Sequence, residues 1–366
     1  MMFDDYIPIN RPILGDAEID AVTSVIKSGI LTSPKPEGGE MVQRLEGAVC
    51  DFTGAQYAVA VNSGTVALQA ALLSLNIGPN DEVIVPSFTY VATANAVRSV
   101  GATPVFADIS LDNYTISPDA IRDCITSRTA AIIPVHLYGL VADIRQIQEV
   151  SGSIPVIEDA AQSLGSTIHN RHTGTLADVG CYSLYPGKVA TAGEGGIIVT
   201  NDHKTYESLL AIRNHGNVRG TFATFGINAR MPEVSAAIAC VQIEKLPSFL
   251  DIRRRNAAIL NSSLDSDVVR FPVIRSGESP NWNLYTVSVR ARDKLLSTLN
   301  QNNVGAAIYY KTPIHRMSHY SSKTILPHTD EAAANAMSIP VHPAVTPDDI
   351  SEISRIINNH SFDAVH

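Results

Sequence analysis

The sequence predicts an α/β fold, with a mainly parallel sheet covered on both faces by helices and a smaller α+β region after it. Three observations point there. From about residue 57, short β-branched runs alternate with runs of helical apolar spacing. Helix-start signals fall between those runs, as at Ser117-Pro118, an N-cap followed by proline at the first helical position. After about residue 240 the alternation gives way to one long helical stretch and scattered strands.

In chain order, "YAVAVNSG" (57–64) reads as a strand and "TVALQAALLSL" (65–75) as a helix. "DEVIVP" (81–86), "TPVFADI" (103–109), "TAAIIPVHL" (129–137), "IPVIEDAA" (154–161), "VGCYSLY" (179–185) and "GGIIVTN" (195–201) follow as short strands. "PDAIRDCI" (118–125) and "DIRQIQEV" (143–150) are helices between them. "VQIEKLPSFLDIRRRNAAIL" (241–260) is a long helix with Pro247 as a candidate kink. "YTVSVR", "AAIYY" and "MSIPVHP" then mix with helices in an α+β texture. The expected division is 1–245 for an N-terminal segment and large domain, and 246–366 for a small C-terminal domain.

Composition narrows the function. The 366 residues are 45% hydrophobic and 17% charged, the balance of a globular chain. A net charge of −9 argues against a general nucleic-acid binder, although a locally positive pocket for a small anion stays possible. Cys50, Cys124, Cys181 and Cys240 form no CxxC pair, so no zinc ribbon or iron–sulfur cluster is expected and a reducing compartment is the default. The start "MMFDDYIPINRP" has no basic region ahead of an apolar one, and no run approaches the roughly 18 apolar residues of a spanning helix. The expectation is a cytoplasmic protein bound to no membrane and no nucleic acid, with Asn113-Tyr-Thr and Asn261-Ser-Ser as chance glycosylation matches.

Four weak signals sit at predicted strand ends, where ligands of parallel sheets bind. Ser63, Gly64 and Thr65 open a helix, which makes them either a phosphate cup or an ordinary N-cap. Glu158 and Asp159 end a strand; side chains alternate there, so both cannot face one pocket. Tyr90 lies just past a strand end, as a stacking surface for a planar ring or as core. Lys188 stands alone in "SLYPGKVATAGEGG" (183–196), a glycine-rich turn that is not a Walker loop, since Val189 follows the lysine and Tyr182 occupies the first glycine position. His136 reads as a satisfied histidine near a strand end. Together, a phosphate cup, a carboxylate, an aromatic face and a lysine suit pyridoxal phosphate, whose phosphate, ring nitrogen, ring face and aldehyde need those four partners. A dinucleotide-binding oxidoreductase is set aside because no G-x-G-x-x-G follows the first strand.

The chain closely resembles the DegT/DnrJ/EryC1/StrS family of sugar aminotransferases through "NSGTVAL", "DEVIVPSFTYVATANAV", "PVFADI", "AIIPVHLYG", "VIEDAAQSLGS", "CYSLYPGK", "GEGGIIVTND", "RNHG" and "GINARMPEVSAAI". The resemblance implies fold type I of the pyridoxal-phosphate enzymes: a large domain with a mostly parallel seven-stranded sheet and a smaller α+β C-terminal domain. It implies that Lys188 is the Schiff-base lysine and proton carrier, and that Asp159 pairs with the pyridine nitrogen. It further implies that Gln162 lies beside the ring, that Tyr90 stacks on it, and that Gly64, Thr65 and Ser183 hold the phosphate, beside Ser63 of the same cup. Asn228 matches an asparagine that reaches the neighbouring subunit's phosphate, which implies a homodimer with shared sites.

The implied reaction moves an amino group from L-glutamate to a nucleotide-linked keto-sugar, at C4 or C3 of a 6-deoxyhexose, with no metal. The alternatives are a cofactor-binding sensor without turnover and a sugar dehydratase; the dehydratase branch carries His where this chain has Lys188. Departures from the family pattern are Ile227, Leu140 and Asn283, the last two expected to line or border the sugar side of the pocket. Loop 28–39 and "YYKTPIH" (309–315) are expected near the substrate.

Overall fold

The computed structural model describes residues 6–360 apart from Arg219 and Ser321. Its centre is a sheet of β1 (Tyr57–Val61), β2 (Glu82–Pro86), β3 (Thr103–Ala107), β4 (Thr129–Ile132), β5 (Ile157–Asp159), β6 (Val179–Ser183) and β7 (Gly196–Thr200). Hydrogen-bonded ladders give β1-β7-β6-β5 and β3-β2-β4. Parallel bridges Ile132–Val156 and Val135–Asp159 join the two halves between β4 and β5. Only β7 runs against the rest: it pairs antiparallel with both β1 and β6, whereas β5–β6, β2–β3 and β2–β4 are parallel.

The helices of this region are α1 (Asp16–Ser28), α2 (Glu40–Thr53), α3 (Gly64–Ser74), α4 (Ala92–Ser99), α5 (Pro118–Cys124), α6 (Ile144–Ser151), α7 (His203–Arg213) and α8 (Glu233–Ser263). Strand alternation assigns the two faces of the sheet. Val59, Val61, Val179, Cys181 and Ile198 pack with α3, α4 and α7. Ala58, Ala60, Tyr182, Ile197 and Val199 pack with α2 and the first half of α8. Ile84, Ile132 and Val156 cover the same side further along, under α5 and α6. Ser117 caps α5 ahead of Pro118, as its sequence predicts.

Helix α8 runs unbroken through Pro247, so position 245/246 lies inside it. Its later part packs against a C-terminal unit: β8 (Val269–Arg270), β9 (Tyr285–Val289) and β10 (Ala336–Ile339), with α9 (Arg292–Gln301), α10 (Pro327–Asn335) and α11 (Pro347–Asn358). "AAIYY" does not extend this sheet. Only Ala307 bridges to Ser338, and the chain then turns so that Tyr309 and Tyr310 reach the large sheet's cavity. Among the described residues no helix is long and apolar enough to cross a membrane, and no cluster of His, Cys, Asp and Glu could hold a metal.

Candidate active site

Because β1, β2, β5 and β6 share a direction, their carboxyl ends meet at one edge of the sheet and open on a cavity of about 480 Å³. Ser63, Gly64, Thr65, Tyr90, Asp159, Gln162, Ser183 and Lys188 all line it. Asn228 does not; it is exposed, and its carbonyl accepts a 3.2 Å bond from Asn62 Nδ2.

The Ser63-Gly64-Thr65 turn serves both readings of its sequence. Ser63 Oγ accepts from the Val66 amide at 3.2 Å and caps α3. The Gly64 and Thr65 amides lie in the first turn, where a helix offers no carbonyl four residues back, and they face the cavity with the positive end of the helix dipole. The cup is tight. A Cβ on Gly64 would stand 2.8 Å from Ser183 Cβ. The reversed strand β7 brings its first residue to the same edge, and a Cβ on Gly196 would stand 2.4 Å from the Ser63 carbonyl oxygen. Gly193 is the turn glycine of this run, with φ of 79°.

Alternation at the end of β5 separates the two carboxylates. Glu158 points away from the cavity and is fully buried. It accepts from the Gly174, Leu176 and Ala177 amides at 2.7 Å and faces His136 Nε2 at 2.8 Å. The Ala142 amide donates to His136 Nδ1 at 3.0 Å, so the proton of the neutral ring sits on Nε2 and goes to Glu158. Asp159 faces the cavity. Thr93 Oγ1 donates to its Oδ2 at 2.8 Å and the Ala161 amide to its Oδ1 at 3.1 Å. Burial pushes the Asp159 carboxyl up, while those two bonds and the Lys188 charge hold it down.

Lys188 sits in a turn closed by its own amide donating to the Tyr185 carbonyl at 2.9 Å. Burial lowers its amine to about 8, against the raising influence of Asp159. Gln162 is fixed from both sides: its Oε1 accepts from the Tyr138 amide at 2.7 Å, and its Nε2 donates to Tyr310 Oη at 3.1 Å. Tyr138 presents that amide from the left-handed region, φ 62°. Tyr90 is 57% exposed, with its ring centroid 5.9 Å from that of Tyr310 at the cavity mouth.

Several expectations need correction. Leu140 is buried in the C-terminal core and does not line the cavity, whereas Asn283 does. Loop 28–39 contributes no lining residue, because Arg213 and Asn214 draw it aside through the Pro36 and Pro34 carbonyls and Glu233 through that of Leu31. Sequence reading missed Thr93, Asn10 and Glu194 in the lining. Thr93 had a signal, since it follows Tyr90 by three residues, nearly one helical turn. Asn10 had none, arriving from the N-terminal segment with Nδ2 donating to the Pro186 carbonyl at 2.9 Å.

The chain as a whole has counterparts among known proteins. The sequence matches the DegT/DnrJ/EryC1/StrS aminotransferase family over residues 12–358. The chain belongs to that family. It is 37% identical to UDP-N-acetyl-3-dehydro-alpha-D-glucosamine 3-aminotransferase of Acidithiobacillus ferrooxidans, over 87% of this chain and 88% of that one. It is 36% identical to UDP-2-acetamido-2-deoxy-3-oxo-D-glucuronate aminotransferase of Pseudomonas aeruginosa, over 88% and 91%. Among solved structures, DesV of S. venezuelae superposes with a TM-score of 0.89 at 32% identity, covering 95% of this chain and 98% of DesV. This family member is therefore an aminotransferase, with the fold that the alternating strands and helices predicted.

Proposed function

We propose that the cavity holds pyridoxal phosphate and that the chain transfers an amino group from L-glutamate to a nucleotide-linked 3-keto-sugar. The observation that carries this is the pairing, in one cavity, of a buried carboxylate held by Thr93 and Ala161 with a lysine whose amine burial lowers to about 8. The residues fit the cofactor. The tight cup of Gly64, Thr65 and Ser183, which a Cβ on Gly64 would fill, suits a phosphate at a helix N-terminus. Asp159 suits a protonated ring nitrogen, Tyr90 a ring face and Gln162 a phenolic oxygen. Bound there, the cofactor supplies an aldehyde that condenses with amines and a ring that withdraws electrons from the carbon losing a proton.

The residues do the rest. Burial raises the Asp159 carboxyl, and the Thr93 and Ala161 hydrogen bonds oppose that rise by favouring its charged form, the form that can hold a proton on a neighbouring nitrogen. Lys188, with its amine near neutrality, can take a proton from one carbon and return it to another. That Asn228 is exposed and outside its own cavity supports the reading that it completes the site of a second copy in a homodimer. The choice of a sugar ketone at C3 follows the names of the two relatives above. Lys188 in place of histidine disfavours the dehydratase reading.

The test is absorption spectroscopy of the holoenzyme, first with L-glutamate and then with a panel of nucleotide 3- and 4-keto-sugars, the product amine being located by NMR. A glutamate-dependent spectral change reversed by a 3-keto-sugar is expected. A spectrum indifferent to every amino donor would leave only the sensor reading. Lys188→Ala should abolish multiple turnover.

A further inference from the structure

Asn283 lines the cavity, is 3% exposed, and its Oδ1 has no hydrogen-bond partner. Among the described residues, no other member of the cavity lining has a buried side-chain polar atom left that way. A buried polar atom left unpaired costs stability, so a lining residue that keeps one is suited to a ligand that pairs it once its amide turns toward the cavity. The residue is held by its backbone on both sides. Its amide donates to Asn281 Oδ1 at 2.8 Å, and its carbonyl accepts from Arg253 Nη1 at 3.3 Å. Asn281 is itself anchored, its Nδ2 donating to the Gln162 and Leu164 carbonyls at 3.0 Å. Asn283 therefore sits on the same framework as Gln162, with its side-chain oxygen unpaired.

Arg253 adds a second property to this wall. It is buried on α8, and its partners are the Trp282 and Asn283 carbonyls and Asn10 Oδ1, with no carboxylate among them. Asn10 makes one bond at each end of its amide, Oδ1 accepting from Arg253 and Nδ2 donating to the Pro186 carbonyl. Of the two asparagines in the lining, only Asn283 has a buried oxygen with no partner.

We propose that Asn283 is a specificity-determining residue that accepts a hydrogen bond from a donor substituent of the acceptor sugar, a hydroxyl O–H or an acetamido N–H. This rests on the nucleotide keto-sugar reading above. A wall built for a substituent rejects the analogue lacking it far more strongly than an apolar wall rejects an added group, because the buried acceptor is then left bare.

The experiment measures kcat/KM of the holoenzyme in the sugar-consuming direction, with 2-oxoglutarate and nucleotide-linked amino-sugars. The set comprises a parent sugar, analogues lacking one ring hydroxyl at a time, and the 2-acetamido, 2-hydroxy and 2-deoxy series. The wild type should disfavour one deoxy analogue by about 10- to 100-fold. Asn283→Leu should bring that ratio to within about 3-fold of unity, whereas Asn283→Asp, which keeps an acceptor, should retain it. Whether the hydroxyl or the acetamido compound restores the preference identifies the donor. A ratio unchanged in Asn283→Leu, or a wild type indifferent to every deletion, overturns the assignment. A glutamate half-reaction that proceeds while no sugar is accepted overturns the acceptor reading itself, and the two failures are distinguishable. Visible absorption and circular dichroism of each variant confirm that it is folded and loaded.

Discussion

Thr93 Oγ1 donates to Asp159 Oδ2 at 2.8 Å, from the first turn of α4 to the last residue of β5. The bond opposes burial, which pushes the Asp159 carboxyl upward. Removing it in Thr93→Val lets that carboxyl rise further. A carboxylate needed in its charged form is then lost at a higher pH, so the acid limb of kcat/KM should move up by about one unit, the size of a hydrogen bond of about 1.4 kcal/mol. A pH–rate profile between about pH 5 and 8 reads the shift, and Thr93→Ser, which keeps the hydroxyl, should restore the original limb.

Lys188 offers a prediction that needs no turnover. Burial lowers its amine to about 8, and Asp159 alone among the named influences raises it. In the cofactor-free chain, reductive methylation with labelled formaldehyde followed by NMR titration should show, besides the α-amino group at about 7.7–8.0, one lysine amine with a midpoint near 8, assigned by its loss in Lys188→Arg and far below the exposed lysines at about 10.4. Asp159→Asn should lower that midpoint again, because it removes the opposing charge. A depressed lysine is protonated more readily in the unfolded chain, so this group favours the fold increasingly as pH rises past about 8 toward the unfolded value.

The phosphate cup predicts a steric pair. Gly64→Ala places a methyl 2.8 Å from Ser183 Cβ, so something must shift, and overpacking of this kind costs about 1–3 kcal/mol. Affinity for pyridoxal phosphate, measured by quenching of intrinsic fluorescence in the cofactor-free chain, should fall about 10-fold or more, while affinity for pyridoxal without phosphate changes little. Gly64→Ala combined with Ser183→Gly removes the clash and should recover much of the fold stability, measured as thermal midpoint, without recovering the Ser183 contribution.

How much of this was legible follows from where each residue's partners lie in the chain. A carboxylate at the end of β5 and the lone Lys188 in a glycine turn are local signals, and the family resemblance singled out Asp159 from its neighbour Glu158. Alternation alone allowed only one of Glu158 and Asp159 to face the pocket without saying which; the structure turns Glu158 away, onto three amides and His136. Gly196 ends the glycine-rich run after Lys188; its constraint is the approach of Ser63, visible only once β7 is known to run antiparallel between β1 and β6. Leu140 and loop 28–39 were misplaced because their positions are set by packing on the C-terminal core and by Arg213, contacts with no local pattern. Tyr310 reaches Gln162 across 148 residues, and nothing in "AAIYY" distinguishes such a turn from the strand its composition suggests.

Glu158 should prove structural in a measurable way. It accepts four donors while fully buried, so Glu158→Gln turns an amide NH₂ toward groups that can only donate. The loss should be about 2–4 kcal/mol, seen as a lower urea midpoint with an unchanged slope. The loop at 174–177 should exchange its amide hydrogens faster in the variant, since glutamine keeps one oxygen and either the Gly174 amide or the Leu176 and Ala177 pair loses its acceptor. Protection that stays at the wild-type level there would count against this role.

Asn228 supplies the test of a shared site. It is exposed and lines no part of its own subunit's cavity, as expected of a side chain that serves a second copy. If it reaches a phosphate across a twofold axis, Asn228→Asp sets a negative charge against that phosphate and should inactivate both sites of a homodimer. Lys188→Ala inactivates both by a different route. When the two inactive variants are unfolded together, mixed in equal amounts and refolded, half of the dimers are hybrids under random pairing. Each hybrid has one site with an intact lysine and an intact partner asparagine, so the mixture should regain about one quarter of wild-type activity. A monomer in solution, or a refolded mixture as inactive as its components, would show that Asn228 does not act in trans.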